Sequence, residues 1–329
     1  MKRSLGHLQD DKFDITSYSL TTLDSLILMI TDYNDKPLPS KRHRKYYPSK
    51  MEFLPDILED IKQLNSMIGL DKLKFQILEQ VIFFIQDLGE KIMLHTVLEG
   101  PPGTGKTTVA NILSKIYAKI GIFRKVKFNV VKRSDLISEY LGGTTIKTTK
   151  ALNRCKNGVM LIDEAYSIGS TSGEDIYAKE CVDTINQYLT ENVEDIICII
   201  AGYKEELDKS FFSLNPGLRR RFPWTFTIEN YTAPELAKIF YRMVKEKDWE
   251  TSCDEQEIVK IISDKLKMFT GNGGDMMSII DKAMIHNALK NFGKENICNI
   301  SLEDFIYAVD IFAETKRNKI SGPPVGMYS

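Results

Sequence analysis

From Leu54 onward the apolar positions fall three and four residues apart, at Ile57, Ile61, Leu64 and then Met67 or Ile68. That spacing places one apolar stripe along a helix. Gly69 interrupts it, and a second run follows with Leu73, Phe75, Leu78, Val81, Ile82 and Ile85. The pattern then changes period. Short apolar runs at 95–99, 126–131, 159–162, 196–200 and 225–228 predict strands. Amphipathic runs at 106–119, 134–140, 146–154 and 176–189 predict helices between them. Strands that are apolar on both faces and separated by helices imply a parallel sheet covered on both sides. After Asn230 the strands are expected to stop. Thr232 and Glu235 have the spacing of a capping box, and Leu236, Ile239, Phe240 and Met243 continue in helical step. Three more runs, Ile258/Ile261/Ile262, Met276/Ile279/Ile280/Ala283 and Phe305/Ala308/Phe312, make 231–315 a small four-helix domain.

Residues 1–50 differ from the rest. Pro37 and Pro39 precede the basic cluster Lys41-Arg42-His43-Arg44-Lys45. The stretch has the composition of a partly flexible extension, although 17–30 is apolar enough to form a short element. The cluster is expected to be a solvated basic segment; a nuclear-localisation or nucleic-acid patch is the less favoured alternative. Gly322-Pro323-Pro324 opens a loose end, so 316–329 is expected to be a flexible tail. The expected division is therefore an extension (1–50), an α/β domain with leading linker helices (51–230), the helical domain (231–315) and the tail.

Composition narrows the class. The chain has 329 residues, 44 Lys+Arg against 45 Asp+Glu, and a net charge of −1. With 43% hydrophobic and 27% charged residues it is neither collagenous, coiled-coil nor wholly disordered. Near-zero net charge argues against coating nucleic acid by bulk electrostatics. No apolar run approaches the roughly 18–20 residues of a membrane helix, and the first residues lack the apolar core of a signal peptide. A soluble intracellular protein is expected, cytoplasmic or, through the basic cluster, nuclear. The five cysteines, Cys155, Cys181, Cys198, Cys253 and Cys298, include no CxxC. Reduced, mostly buried thiols are expected, and no structural metal site.

The strongest chemical signal is Gly100-Pro101-Pro102-Gly103-Thr104-Gly105-Lys106-Thr107, which matches GxxxxGK[ST] between a predicted strand and a predicted helix. Its glycines let backbone N–H groups turn toward phosphate oxygens, and the helix N-terminus adds a favourable dipole. Lys106 then serves the β- and γ-phosphates of ATP, and Thr107 serves Mg²⁺. The second signal is Val159-Met160-Leu161-Ile162-Asp163-Glu164, an apolar strand ending in two carboxylates. At the carboxyl end of a parallel strand, Asp163 can hold Mg²⁺ and Glu164 can act as general base on a water. The third is Asn215-Pro216-Gly217-Leu218-Arg219-Arg220-Arg221-Phe222. Beside a nucleotide site its arginines can stabilise charge on the γ-phosphate; if one reaches a neighbouring copy, activity requires a ring.

In order along the chain, LEGPPGTGKTTVA, VMLIDEAYSI, IIAGYKEEL and NPGLRRRF resemble the AAA+ ATPases of the CbxX/CfxQ-like family, which includes red-type Rubisco activases and sporulation-protein relatives. The resemblance covers about residues 65–315. It implies a P-loop NTPase with a five-stranded parallel sheet followed by a helical lid, assembling as a ring, usually a hexamer. It also implies Mg²⁺-dependent ATP hydrolysis at subunit interfaces that drives pore loops against an unidentified protein substrate. On this resemblance, residues 100–107 are the Walker A segment, Asp163 and Glu164 are Walker B, and Arg219 and Arg221 are candidate arginine fingers, with Arg219 preferred. Tyr140, Leu141 and Gly142 match the pore loop, and Ile68 and Gly69 match a segment lining the adenine pocket.

The chain departs from the family at two places. The sensor position after the fourth strand falls near Tyr203, not a simple polar residue. In Gly271-Asn272-Gly273-Gly274, Gly274 stands where the family's lid motif has an arginine. Slower or differently regulated turnover is expected, since Lys106 and both carboxylates are present. Two other classes compete with a protein remodeller: a nucleotide-gated scaffold that barely hydrolyses, and a nucleic-acid-linked motor, which only the basic cluster supports.

Overall fold

The computed structural model describes residues 12–38, 47–86, 93–120, 123, 127–140, 142–169, 175–294 and 298–320. The chain divides into two compact units, one of residues 1–100 and 106–228, the other of 101–105 and 229–329.

The first unit begins with three helices, α1 (Leu23–Asp35), α2 (Leu54–Asn65) and α3 (Asp71–Ile85). The alternation follows: β1 (Thr96–Glu99), α4 (Lys106–Lys119), β2 (Phe128–Val131), α5 (Arg133–Leu136), α6 (Thr144–Arg154), β3 (Gly158–Ile162), α7 (Ile176–Glu191), β4 (Ile196–Gly202), a short α8 (Lys204–Glu206) and β5 (Trp224–Thr227). The expected helix over 134–140 is only the single turn of α5. The five strands are parallel in the order β2-β3-β4-β1-β5. Side chains alternate across the sheet with period two. Val159, Leu161, Ile197 and Ile199 join the core beneath α1–α4, whereas Met160, Ile162, Cys198 and Ile200 join the core beneath α6 and α7. All seven residues of β4 are buried, as a central strand with both faces covered requires.

Part of the extension, including most of the 17–30 segment expected to form an element, belongs to this core. Phe13 is buried among the rings of Tyr18, Tyr33 and Tyr47, at centroid separations of 5.7, 5.3 and 5.8 Å. The Tyr47 hydroxyl donates to the Phe13 carbonyl at 3.0 Å. In α1, Leu23, Leu26, Met29 and Ile30 are buried at helical spacing, and Thr22 and Ser25 cap its start reciprocally. The physical cause is that one-sided stripe, interleaved with the polar Asp24, Ser25 and Asp32. The basic cluster at 41–45 lies outside the described residues.

The second unit contains α9 (Ala233–Glu246), α10 (Glu255–Asp264), α11 (Gly273–Lys290) and α12 (Leu302–Ile320). The Glu235 carboxylate accepts from both the N–H and the hydroxyl of Thr232 at 2.7 Å, the expected cap of α9. Phe240 and Phe305 meet edge to face at 4.9 Å in its core. Strands do not stop at residue 230: β6 (Glu250–Thr251) and β7 (Asn299–Ile300) pair in parallel. Two residues per strand are too few to display a period, so sequence alone gives no signal for them. Among the described residues no helix is long and apolar enough to cross a membrane. All five cysteines are free, four of them buried and Cys298 exposed.

His95, just before β1, is fully buried and its Nδ1 accepts the Cys198 N–H at 3.1 Å. Burial, with a smaller push from the Arg221 charge, lowers its pKa to about 4. The unfolded chain takes up this proton near pH 6.5. Above that pH neither state is protonated and the residue has no effect. As pH falls from 6.5 toward 4 the unfolded state gains about 1.4 kcal/mol per unit, about 3 kcal/mol in all. Urea titrations across this window are expected to show a smaller loss of stability for His95→Asn than for the wild type; parallel curves would rule out the buried neutral histidine.

Candidate active site

In the sheet order, β4 separates β3 from β1. The residues that follow β1 and β3 therefore converge at the carboxyl end of the sheet, where parallel α/β sheets bind ligands. Lys106 opens α4, and its ammonium donates to the Gly100 carbonyl at 2.9 Å. It also lies 4.6 Å from the centre of the Tyr203 ring. Burial lowers the lysine's pKa, opposed by the charges of Asp163 and Glu164. On the next residue, the Thr107 hydroxyl donates to Asp163 Oδ2 at 2.7 Å. The other carboxylate oxygen, Oδ1, accepts the Glu164 N–H at 3.0 Å. Glu164 is exposed and adopts the left-handed conformation, φ 51° and ψ 45°. The structure thus brings Lys106, Thr107, Asp163 and Glu164 together around the start of one helix.

Between Gly100 and Lys106 the turn 101–105 is closed by the Thr104 hydroxyl, which donates to the Pro101 carbonyl at 2.8 Å. Gly103 and Gly105 have φ of 68° and 85°, which favours glycine at both. A Cβ on Gly103 would lie 2.0 Å from the Gly271 carbonyl oxygen. The turn's carbonyls are held by the start of α11 and the residues before α9. Asn272 Nδ2 donates to the Pro102 carbonyl at 3.1 Å, the Gly273 N–H to that of Gly103 at 3.1 Å, and the Tyr231 hydroxyl to that of Thr104 at 3.1 Å. These bonds engage the carbonyl side of the peptide units, opposite to the N–H groups that a phosphate needs. Asn272 is fully buried with φ 49°, and it also donates to Asn230 Oδ1 and accepts the Tyr231 N–H, both at 2.9 Å. A pocket of about 950 Å³ opens beside Pro101, lined also by Asn230, Tyr231 and residues 263–270.

The two candidate arginines differ. Arg219 donates to Asp208 at 3.2 Å, lies 3.7 Å from the buried Glu99 carboxylate and sits 4.5 Å over the Phe212 ring. Arg221 has its Nε buried without a hydrogen-bond partner among the described residues. Tyr140 is 78% exposed, on a turn closed by the Gly143 N–H donating to its carbonyl at 3.1 Å. Gly142 has φ 76° in that turn, and Leu141 lies outside the described residues. Ile146 and Ile176, also exposed, start α6 and α7 at ends joined by the Thr145–Glu180 hydrogen bonds. Ile68 and Gly69 form the turn from α2 to α3. Gly69 and Leu70 both have φ 64°, and Lys74 donates to the carbonyls of Asn65 and Met67.

Sequence reasoning missed Asn272 and Tyr231; Asn272 stands inside the glycine-rich stretch noted for its missing arginine.

Residues 96–230 match the family described as "ATPase family associated with various cellular activities (AAA)". The chain is 41% identical over 221 residues to a putative cfxQ-like protein of Acanthamoeba polyphaga mimivirus, covering 67% of this chain but only 54% of that protein. It is 32% identical over 255 residues to stage V sporulation protein K of Bacillus subtilis, covering 73% of this chain and 79% of the relative. It is 31% identical over 269 residues to a CfxQ homolog of Trieres chinensis, covering 76% and 92%.

The buried Asn272 hub generates a stability test. Asn272→Asp keeps an acceptor for the Tyr231 N–H but removes the donor to Pro102 and Asn230. Losing a buried donor while adding a charge is expected to cost about 3 kcal/mol. A urea-unfolding free energy within about 0.5 kcal/mol of wild type would show that the hub does not hold the turn.

Proposed function

The chain belongs to the CfxQ-like ATPases of the AAA family, and on that premise we propose that it is an ATP-driven motor that remodels or partly unfolds a protein partner. The observation that carries the reading is the meeting of Thr107 with Asp163, next to Lys106 and Glu164. Lys106 holds the β- and γ-phosphates of ATP. Glu164 takes a proton from the water that attacks the γ-phosphorus, and the bond to the β-phosphate oxygen breaks. Ile68 and Gly69, in the turn from α2 to α3, line the adenine.

Among the described residues no group of three or more His, Cys, Asp or Glu makes a metal cage. A nucleotide's Mg²⁺ needs none, because it binds one or two carboxylates, hydroxyls and phosphate oxygens. The Thr107–Asp163 pair fits that donor set. Bound there, Mg²⁺ would neutralise charge building on the phosphate oxygens.

The reading includes a homo-hexamer in which Arg219 serves a neighbour's ATP. Arg219 is preferred to Arg221 because Arg221 has its Nε buried. The exposed stripe Ile285, Leu289 and Phe292 on and just after α11 gives contact between copies an apolar surface to bury. Tyr140, exposed on its tight turn, grips the protein partner. The alternative of a weakly hydrolysing scaffold rests on Gly274, where the family's lid arginine is missing.

Glu164→Gln is expected to lower turnover at least about 100-fold while ATP stays bound. The trapped form should retain its protein partner for identification by mass spectrometry, and a scaffold would behave as wild type. A wild-type chain that turns over Mg-ATP only at background sinks the motor reading. Gly274 offers a second test. A Cβ there meets nothing within 4 Å, and its N–H lies 2.9 Å from the position of a Cβ on Gly103. Gly274→Arg is expected to tighten ATP binding about tenfold, the effect of one charge-assisted hydrogen bond. An unchanged dissociation constant would mean that position 274 does not reach the phosphates.

A further inference from the structure

The last residue of β1, Glu99, is only 2% exposed and stands directly before the phosphate loop. Burying a carboxylate is costly unless its charge and its lone pairs find partners. Oε1 accepts the hydroxyl of Thr227, its register partner on β5, at 3.0 Å. Oε2 is buried, and among the described residues no hydrogen bond reaches it. Two cations stand at ion-pair distance: Lys204 Nζ lies 3.7 Å from Oε1, and Arg219 Nη2 lies 3.7 Å from Oε2. Lys204 is the more exposed of the two side chains, at 63% against 37%. Arg219 is also held from its other side. Its Nη1 donates to Asp208 at 3.2 Å, and its guanidinium carbon lies 4.5 Å from the centre of the Phe212 ring. The backbone at this corner is fixed as well. The Glu99 carbonyl accepts the Ile228 N–H at 2.8 Å, the Gly100 N–H donates to the Gly202 carbonyl at 3.2 Å, and the Gly100 carbonyl accepts the Lys106 ammonium at 2.9 Å.

An ion pair between exposed groups is weak, so a surface arginine loses little by wandering. An arginine that leaves a buried carboxylate strands a charge there, so Arg219 is bound to one place. A guanidinium carries five N–H groups, more than Asp208 and Glu99 engage, and the rest can meet a further anion. We propose that Glu99 is a positioning residue for hydrolysis in the neighbouring copy: its buried carboxylate fixes Arg219 on the corner that also holds Lys106. Two adjacent residues then tie the cation of this chain's own nucleotide site to the cation it lends to the next. A group held in place before the reaction contributes to rate without a reorganisation cost. The role rests on the ATPase reading above, with Arg219 as the arginine acting across copies.

The test is steady-state turnover of Mg-ATP by the full chain, fitted for kcat and KM, with melting temperature measured alongside. Arg219→Ala sets the scale, with an expected loss of about 10³-fold in kcat. Glu99→Gln keeps the shape and the acceptor for Thr227 and removes the charge. Its kcat is expected to fall about tenfold at unchanged KM, the effect of one charged contact that counts only in the transition state. In the Arg219→Ala background the same substitution is expected to change kcat by less than about twofold, because its route to the reaction is gone. Lys106→Ala chains keep Arg219 but lack the phosphate-binding ammonium. Mixed with them, Glu99→Gln chains are expected to turn over ATP about threefold faster than alone. A structural role would instead give independent losses in the double variant and no recovery on mixing. Wild-type kcat in Glu99→Gln, independent losses, or no recovery on mixing overturns the proposal. Should Glu99→Gln fail to fold, Glu99→Asp takes its place with the same expectations, since it keeps the buried charge and withdraws it by one methylene. A chain that unfolds on both substitutions overturns the role as well. Wild-type turnover at background, or an Arg219→Ala enzyme as fast as wild type, defeats the underlying reading. Turnover that Arg219→Ala abolishes and Glu99→Gln leaves unaltered defeats only the role of Glu99.

Discussion

A threonine hydroxyl on the first turn of α4 donates to the carboxylate that follows β3. That single bond requires two strand tips, separated by β4, to end at one level. The order β2-β3-β4-β1-β5 supplies this, with the in-register parallel pairs of β1 and β3 on either side of β4. Seven consecutive buried residues in β4 anchor the arrangement. If β3 slipped by one residue, its inward and outward side chains would exchange faces. Asp163 would then leave Thr107, and the apolar set would leave its core.

Much of this was legible in the chain itself. The strands of the sheet are runs of apolar residues bounded by turn residues, and the helices between them carry a plain three-four step. The loop at 100–107 and the acidic pair were legible because their chemistry needs particular residue types at fixed spacing. Helix α1 was harder. Its four buried residues are few, and polar neighbours dilute them. The β6–β7 pair gave no signal because two residues cannot show a period. Tertiary partnerships were the least visible. Asn272 stands in a glycine-rich stretch, yet it is fully buried with five hydrogen bonds. Nothing in the spacing of Tyr166 and Tyr203 announces that their rings meet.

The arginine cluster shows the difference between residue type and residue environment. Three adjacent arginines look equivalent as letters. In the fold, Arg219 is held by Asp208 and the buried Glu99 beside the Phe212 ring, Arg220 is exposed, and Arg221 is rooted with a buried Nε. Glu99 also accepts the Thr227 hydroxyl at 3.0 Å and lies 3.7 Å from Lys204. The last residue of β1 is therefore a charged junction just before the loop, although in the sequence it ends an otherwise ordinary strand.

The left-handed backbone at position 164 has a wider consequence. An L-residue with a side chain gives up about 1–2 kcal/mol in that conformation, and glycine would relieve it. Selection for a sturdy fold alone would favour glycine or asparagine there. On the proposal that Glu164 is the general base, a carboxylate stands where the backbone resists it, and the position trades robustness for chemistry. Screens that rank variants of this chain by thermal tolerance would therefore enrich well-folded molecules that have lost their purpose.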